Sequence, residues 1–259
     1  GFTTADNIAD TMLLTGSAIK TLISDSLASA GGLSFFAESQ TLAAIEVSSW
    51  TPTGGANTGI SLVPLGSGFL AADIPNAAPS GGDARGQYAI DWQMQRITSA
   101  EVASGDLSVI GGGERNTASG TTATIAGGES NSATQDFVSI GGGTGNTSAG
   151  EAATIGGGDS NTADGFYSTV GGGQSNTASG LLASVLGGNN NTAQGNYSSV
   201  PGGWQNTALS WAEVVVGAFN DNSSYTANSA TAYNATDRVF VIGNGQNGSN
   251  RSNAMVVLK

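Results

Sequence analysis

The sequence predicts an all-β protein built as a parallel β-solenoid, and a repeat of fifteen residues over 108–215 is the main reason. Each unit carries an apolar residue, a glycine two positions later, and an asparagine four positions after that glycine. A spacing that never drifts indicates one structural unit that is copied and stacked. The apolar column is Ile110, Ile125, Ile140, Ile155, Val170, Val185, Val200 and Val215. The asparagine column is Asn116, Asn131, Asn146, Asn161, Asn176, Asn191 and Asn206.

The composition of one unit gives the second and third reasons. Common helical repeats need more than about thirty residues, so a unit of this length holds two short strands and two tight turns instead. Residues 108–110 and 116–118 alternate between small or apolar and polar side chains, as strands do. Glycines at 111–113 and 120 supply the positive φ that sharp turns need. Stacking then pairs each strand with its copy about 4.8 Å away.

Such a narrow coil also predicts an oligomer. One Ile or Val per coil, with Ala and Ser, buries little apolar surface against roughly 1–2 kcal/mol of backbone entropy per residue. A second chain must therefore cover more apolar surface, and a homotrimer is the simplest fibrous solution. The candidate column for this contact is Leu107, Phe137, Tyr167, Leu182 and Tyr197.

In chain order, the pattern predicts four segments. Residues 1–30 have apolar residues three and four apart and form a short helical stalk or connector. Residues 31–86 form a small β-rich domain and a linker, with strand-like runs between Pro, Gly and Asn turns. Residues 87–219 form the β-roll, which begins with a half coil at Ala103. Residues 220–259 form a C-terminal β cap: a polar loop over 220–236, then strands over 238–242 and 254–258.

The repeats resemble those of a known class of fibrous proteins. The runs SVIGGGERNTASG, SIGGGTGNTSAG and STVGGGQSNTASG are similar to the head repeats of trimeric autotransporter adhesins and phage tail fibres. The resemblance implies a left-handed parallel β-roll with three chains to a head. The flanking stretches, among them GGDARGQYAIDWQ and DRVFVIGNGQNGSNRSNAMVVLK, are more similar to phage fibres. It implies a place on the virion tail or, alternatively, on a bacterial cell surface, with other tail or appendage proteins and a host glycan or protein as partners.

Composition favours a fibre over an ordinary enzyme. The chain has 41 Gly, no Cys, only 10% charged residues and a formal net charge of −12. Such a surface repels nucleic acid and anionic membranes, and no apolar run is long enough to insert into a membrane. We therefore expect neither nucleic acid nor membrane insertion among the partners.

The search for catalytic chemistry predicts no catalytic residue, cofactor or metal. The chain has no His, so His-dependent nucleophilic sites are absent. The G-x-G-x-x-G run over 243–248 follows a strand but precedes no helical pattern. Stacked carboxylates at 114 and 129, and at 136 and 151, could serve a glycan-degrading tailspike or hold Ca²⁺. Solvated turn residues are the favoured interpretation.

Binding residues are predicted in the variable turns and at the aromatic end. The candidate receptor-binding residues are Glu114, Arg115, Trp204, Trp211, Phe219 and Tyr225. The alternative is that the aromatic residues cap the roll and lock the chains together. The Asn column is assigned to the scaffold, as a ladder in which Asn tolerates a left-handed backbone and bonds its own turn. The Thr column over 117–207 suits ice binding, but Thr is also common on exposed strands.

Overall fold

The structure, a computed structural model, describes residues 70–71, 82–93, 95–223 and 225–259. These residues belong to the second of the two units into which the chain divides, Ser61–Lys259. The predicted helix over 1–30 and most of the predicted β-domain over 31–86 lie outside the described residues. The part that the structure describes consists of short strands joined by turns, and it contains no helix.

Each coil contributes two short strands, and the two sets of strands form two parallel sheets. Sequence neighbours one coil apart are neighbours in the sheet, so Ile125 pairs with Ile140 and Thr162 pairs with Thr177. The first sheet has twelve strands and the second has seven. The predicted parallel β-solenoid with coils of about fifteen residues is therefore confirmed.

Most strands have only two residues. The first sheet contains β1 (Leu70–Ala71), β2 (Ile90–Asp91), β3 (Val109–Ile110), β5 (Thr124–Ile125), β7 (Ser139–Ile140), β9 (Thr154–Ile155), β11 (Thr169–Val170), β13 (Ser184–Val185), β15 (Ser199–Val200), β17 (Val214–Ala218), β18 (Arg238–Asn244) and β19 (Asn253–Leu258). The second sheet contains β4 (Thr117–Ala118), β6 (Ser132–Ala133), β8 (Thr147–Ser148), β10 (Thr162–Ala163), β12 (Thr177–Ala178), β14 (Thr192–Ala193) and β16 (Thr207–Ala208).

The core is a stack of single side chains along the solenoid axis. In each two-residue strand the second residue is buried and the first faces outward, because successive side chains alternate across a strand. Ile125 and Ile140 thus lie inside, whereas Thr124 and Ser139 lie on the outer face. Alanines of the second sheet, such as Ala133, fill the space opposite. The small size of these alanines explains how two sheets can approach closely within so short a coil.

The first sheet extends beyond the repeat at both ends. β1 pairs with β2, and β2 pairs with β3, so the sheet begins earlier than a half coil at Ala103. Ala103 does pair with Ala118, as its register predicts. At the other end, β17 pairs with the parallel strand β18, and β18 pairs with the antiparallel strand β19. The two strands predicted over 238–242 and 254–258 are confirmed.

The asparagine column forms the predicted ladder inside the coil. Asn146 is buried, its backbone N–H donates to Asn131 Oδ1 at 3.0 Å, and its own Oδ1 accepts from Asn161 N–H at 3.0 Å. Its Nδ2 donates to the carbonyls of Gly142 at 2.9 Å and Gly158 at 3.0 Å. One side chain therefore satisfies backbone groups of its own coil and of both neighbouring coils, which a buried backbone requires.

One part of the explanation for this column is wrong. Asn was expected to occupy the left-handed position of its turn, but the residue before it does so. Ser130 and Ser160 each have a φ of +56°. The ladder thus depends on the amide as a buried donor and acceptor, and the backbone conformation of Asn itself adds nothing special.

We expect Asn146→Ala to lower the free energy of unfolding by about 3 kcal/mol, because a buried donor or acceptor without a partner costs about 1–3 kcal/mol. The Asn161 N–H would lose its acceptor. Thr147→Ala is the matched control, since Thr147 is the next residue along the chain and its side chain is exposed. Denaturant unfolding followed by circular dichroism measures both. Equal midpoints for the two variants would contradict a supporting role for the ladder.

Candidate functional site

The predicted acidic pair lies where the register placed it, at the corner between the two sheets. Glu114 and Glu129 are paired one coil apart. The guanidinium of Arg115 contacts both carboxylates, with Nη2 lying 3.6 Å from Glu114 Oε1 and forming a closer ion pair with Glu129. Three of the predicted binding and catalytic candidates are therefore brought together. The ion pair occupies the Glu129 carboxylate.

A shallow groove follows this corner. Its volume is about 750 Å³, and its lining residues are Gln95, Gly113, Glu114, Gly128, Glu129, Gly143 and Thr144. Further along the same column, side-chain amides continue the polar strip, since Gln174 Nε2 donates to Asp159 Oδ2 at 3.0 Å. Asn189 Nδ2 then donates to Gln174 Oε1 at 2.8 Å. The corner thus presents a polar strip along the solenoid.

The second predicted carboxylate pair has a structural contact. Asp136 Oδ1 accepts a hydrogen bond from the backbone N–H of Thr121, one coil earlier, at 2.8 Å. Asp106 makes the equivalent contact with Gln87 N–H at 2.9 Å. Because equivalent positions repeat the contact, Asp136 acts here as an acceptor for the preceding turn.

The aromatic candidates are split between the surface and the interior. Trp204 is about half exposed, and its ring lies 4.9 Å from that of Phe219. Phe219 itself is buried, with 4% of its surface exposed, so the expectation that it faces solvent is wrong. Arg251 lies 6.0 Å above the Phe219 ring and explains part of this burial. Trp204 is the member of this pair that a ligand could reach.

Trp211 is half-buried at the centre of a small aromatic cluster. Its ring lies 5.9 Å from that of Tyr197 and 6.4 Å from that of Tyr233, in edge-to-face arrangements. The ammonium group of Lys259 lies 5.5 Å from the Trp211 ring. Burial lowers the pKa of Lys259, although Asp237 and Glu213 oppose this shift. Trp211 therefore joins the end of the roll to the C-terminal strand.

Tyr225 belongs to the hydrogen-bond network of the cap. Its hydroxyl lies 3.1 Å from Asp237 Oδ1 and accepts the backbone N–H of Arg238 at 3.1 Å. The Arg238 guanidinium stacks 3.7 Å above the Tyr225 ring. Burial pushes the pKa of Asp237 upward, but hydrogen bonds from Asn228, Ser229 and Tyr225 outweigh it and hold that pKa below its ordinary value.

A buried ion pair in the cap was missed by the sequence analysis. Glu213 Oε1 lies 3.0 Å from Arg238 Nε, and both side chains are buried. Glu213 Oε2 accepts hydrogen bonds from the backbone N–H groups of Leu209 at 2.7 Å and Ser210 at 2.9 Å. A signal was present, since Glu213 stands in a column whose earlier members are Ser108, Ala123, Val138, Ala153, Ser168, Ala183 and Ser198.

The opposite end of the core column has an equivalent arrangement. Asp91 is paired with Ile110 in the sheet and therefore ends the column of buried apolar residues. Its Oδ2 lies 2.8 Å from Arg85 Nε and 3.2 Å from Arg96 Nη2. Gln93 meanwhile starts the asparagine ladder, because its Oε1 accepts the Asn116 N–H at 2.8 Å.

The predicted oligomer column lies on the surface of the single chain. Leu107, Phe137, Tyr167, Leu182 and Tyr197 are each about half exposed. Across the described ranges, no three His, Cys, Asp or Glu side chains are grouped so that they could hold a metal ion. The same ranges contain no helix with the length and apolarity needed to cross a bilayer.

Comparison with known proteins gives no relative from which a role could be taken. No protein-family model matches the chain, and no curated protein matches it.

Arg238→Met is expected to lower the free energy of unfolding by about 3–5 kcal/mol, because it leaves a buried carboxylate without its counter-charge. Adding Glu213→Gln should recover part of this loss, and a double-mutant cycle in denaturant measures the coupling. Arg115→Met is the control, since that ion pair is partly exposed and contributes about 0–1 kcal/mol. Additive effects at 213 and 238 would contradict the coupling.

Acidification should weaken the cap through Asp237. Because its pKa is lower in the folded chain than the ordinary 3.8, Asp237 stabilises the fold above pH 3.8, and this contribution is lost as the pH falls through the folded-state pKa. We expect Asp237→Asn to lose less stability between pH 7 and pH 3 than the wild type does. Asp164→Asn, at an exposed carboxylate, should keep the wild-type difference. Urea unfolding at the two pH values provides the measurement.

Proposed function

We propose that this chain is part of a non-enzymatic, homotrimeric fibre of a phage tail or a similar extracellular appendage. In that role it mediates or supports attachment to a receptor on a bacterial surface. Other tail or appendage proteins and a host surface glycan or protein are the proposed partners. The repeat runs described above, which resemble phage-fibre and adhesin heads, are the origin of this proposal.

The observation that carries the proposal is the unbroken stacking of coils in one register. Strands β3 to β15 of the first sheet pair successively with a constant shift of fifteen residues. A stack of this kind is elongated, and each coil contacts mainly its neighbours. Such a rod presents the same surface position again and again along its length, which suits an attachment fibre.

The surface chemistry also favours attachment. The polar strip over 114–189 offers carboxylate and amide groups, and Trp204 adds a half-exposed aromatic ring at its end. Polar groups beside an aromatic ring are what a sugar ligand uses for hydrogen bonding and stacking. Three such surfaces on one fibre would each bind weakly and gain strength through effective concentration.

A glycan-degrading tailspike is the second candidate function. The groove that contains Glu114 and Glu129 favours it, because paired carboxylates in a groove are the machinery of glycoside hydrolysis. Against it stands the ion pair between Arg115 and Glu129. A head domain of a bacterial trimeric adhesin would share the binding function and differ in the particle or cell that carries it.

Fluorescently labelled protein is expected to bind cells of susceptible bacterial strains in a saturable manner that excess unlabelled protein competes away. Trp204→Ala should weaken binding several-fold, whereas Thr147→Ala, which changes an exposed residue of the opposite sheet, should leave it unchanged. Flow cytometry over a strain panel, together with a glycan array, measures both. Binding that is equal for Trp204→Ala and wild type would remove Trp204 from the receptor site.

The same preparation separates the two candidate functions. Purified protein incubated with capsular polysaccharide should leave the polymer length unchanged in size-exclusion chromatography. Shortening of the polymer by the wild type, and loss of that shortening in Glu114→Gln, would replace the attachment proposal with the tailspike.

A further inference from the structure

Each coil has two positions at which the backbone takes a left-handed conformation. The first column has φ values between +52° and +61° and contains Leu107, Thr122, Phe137, Ala152, Tyr167, Leu182, Tyr197 and Ala212. The second column has φ values between +52° and +64° and contains Arg115, Ser130, Gly145, Ser160, Ser175, Asn190 and Gln205. The two columns therefore place the same local demand on the chain.

The two columns answer that demand with opposite chemistry. A left-handed backbone favours Gly, Asn and Asp and disfavours bulky side chains. The second column follows this preference with small and polar residues, including Gly145 and Asn190. The first column contains no Gly, Asn or Asp, and it uses Phe137 and Tyr167 instead. Because the backbone conformation is the same, the difference must come from what surrounds each column.

Nothing in the single chain supplies that surrounding. Six residues, here called the apolar ridge, are between 47% and 61% exposed. They are Tyr88, Leu107, Phe137, Tyr167, Leu182 and Tyr197. A row of half-exposed large apolar side chains on a soluble protein marks a contact surface. At its end, the ridge continues into the cap through the contact between Tyr197 and Trp211.

The face beside the ridge is free of charge. The outward positions of the first sheet are 107, 109 and 111 and their copies every fifteen residues up to 216, and none of them is Asp, Glu, Lys or Arg. The corner column, by contrast, contains Glu114, Glu129 and Asp159. Two copies of a chain with a net charge of −12 repel each other, so they approach most easily through this uncharged face.

The available area matches what a subunit contact needs. A buried large side chain covers about 150–250 Å², so each half-exposed ridge residue offers about 100 Å². The six residues together offer on the order of 600 Å², and the small residues between them add more. A stable interface takes about 800 Å² from each partner. The ridge and its sheet face are therefore large enough for one.

We propose that a second copy of this chain covers the apolar ridge and the uncharged outer face of the first sheet. This proposal rests on the proposed fibre, because it assigns the face through which the fibre's subunits meet. It leaves the second sheet and the polar corner strip outside the contact and free to bind a receptor.

The test replaces ridge residues with the residue that a left-handed backbone favours. The ridge variant carries Phe137→Asn, Tyr167→Asn and Leu182→Asn in the full chain. The matched control carries Ser130→Asn, Ser160→Asn and Ser175→Asn, at φ values of +56°, +56° and +55° in the second column. Asn removes the conformational penalty in both cases, so each variant should retain the β-rich circular dichroism spectrum.

Analytical ultracentrifugation gives the outcome. Wild type and control should sediment as the same oligomer, expected to contain three copies. The ridge variant should dissociate at protein concentrations at least 100-fold higher. A ridge variant that assembles like the wild type, or a wild type that sediments as a monomer, would overturn the proposal.

A second measurement holds if the ridge variant fails to fold. The natural chain has no cysteine, so Tyr167→Cys and Ser160→Cys each place a single thiol in one of the two columns. Maleimide labelling should be at least tenfold slower at 167 than at 160 in the assembled protein. Equal rates would contradict the proposed contact. Neither experiment uses cells, so an assembled protein that binds no bacterium would count against the proposed function alone.

Discussion

The structure depends on one constraint, which is that each coil lies on its neighbour with equivalent residues at equivalent places. A side chain that fits in one coil must therefore also fit against its own copies above and below. Asn146 meets this condition with hydrogen bonds to both neighbours, and Ile140 meets it by packing between Ile125 and Ile155. The glycine column at 113 meets it by having no side chain, because a Cβ there would lie 2.0 Å from the carbonyl oxygen of Gly128.

Periodic packing cannot continue at the two ends of the stack, and charged residues take the place of apolar ones there. Asp91 stands beside Ile110 and is held by two arginines. Glu213 interrupts a column of small residues and is paired with Arg238. A buried ion pair of this kind adds little stability over an apolar pair, but it penalises any arrangement that separates the partners. The two ion-pair sites thus fix where the stack of coils begins and ends.

The repeat was sufficient to predict the coil, the parallel register, the inward column and the asparagine ladder, because each follows from a residue that recurs at constant spacing. Contacts that occur once were harder to predict. Phe219 was expected on the surface because periodicity says nothing about Arg251, which approaches from a distant part of the sequence. The pairing of Glu213 with Arg238 was missed for the same reason. Even so, the break in the column at 213 was visible in the sequence.

Conformation and surroundings have to be separated before a repeated residue can be interpreted. Within the turn over 111–113 and its copies, the third glycine is required by the adjacent coil, as described above. The middle glycine is different: at Gly187 and Gly202 no atom lies within 4 Å of the place a Cβ would take. Nothing in the single chain explains why these two positions remain glycine. The same reasoning applies to the apolar ridge, where residues that suit neither their backbone nor water recur. A periodic sequence therefore records the contacts of the assembled fibre together with those of the isolated coil.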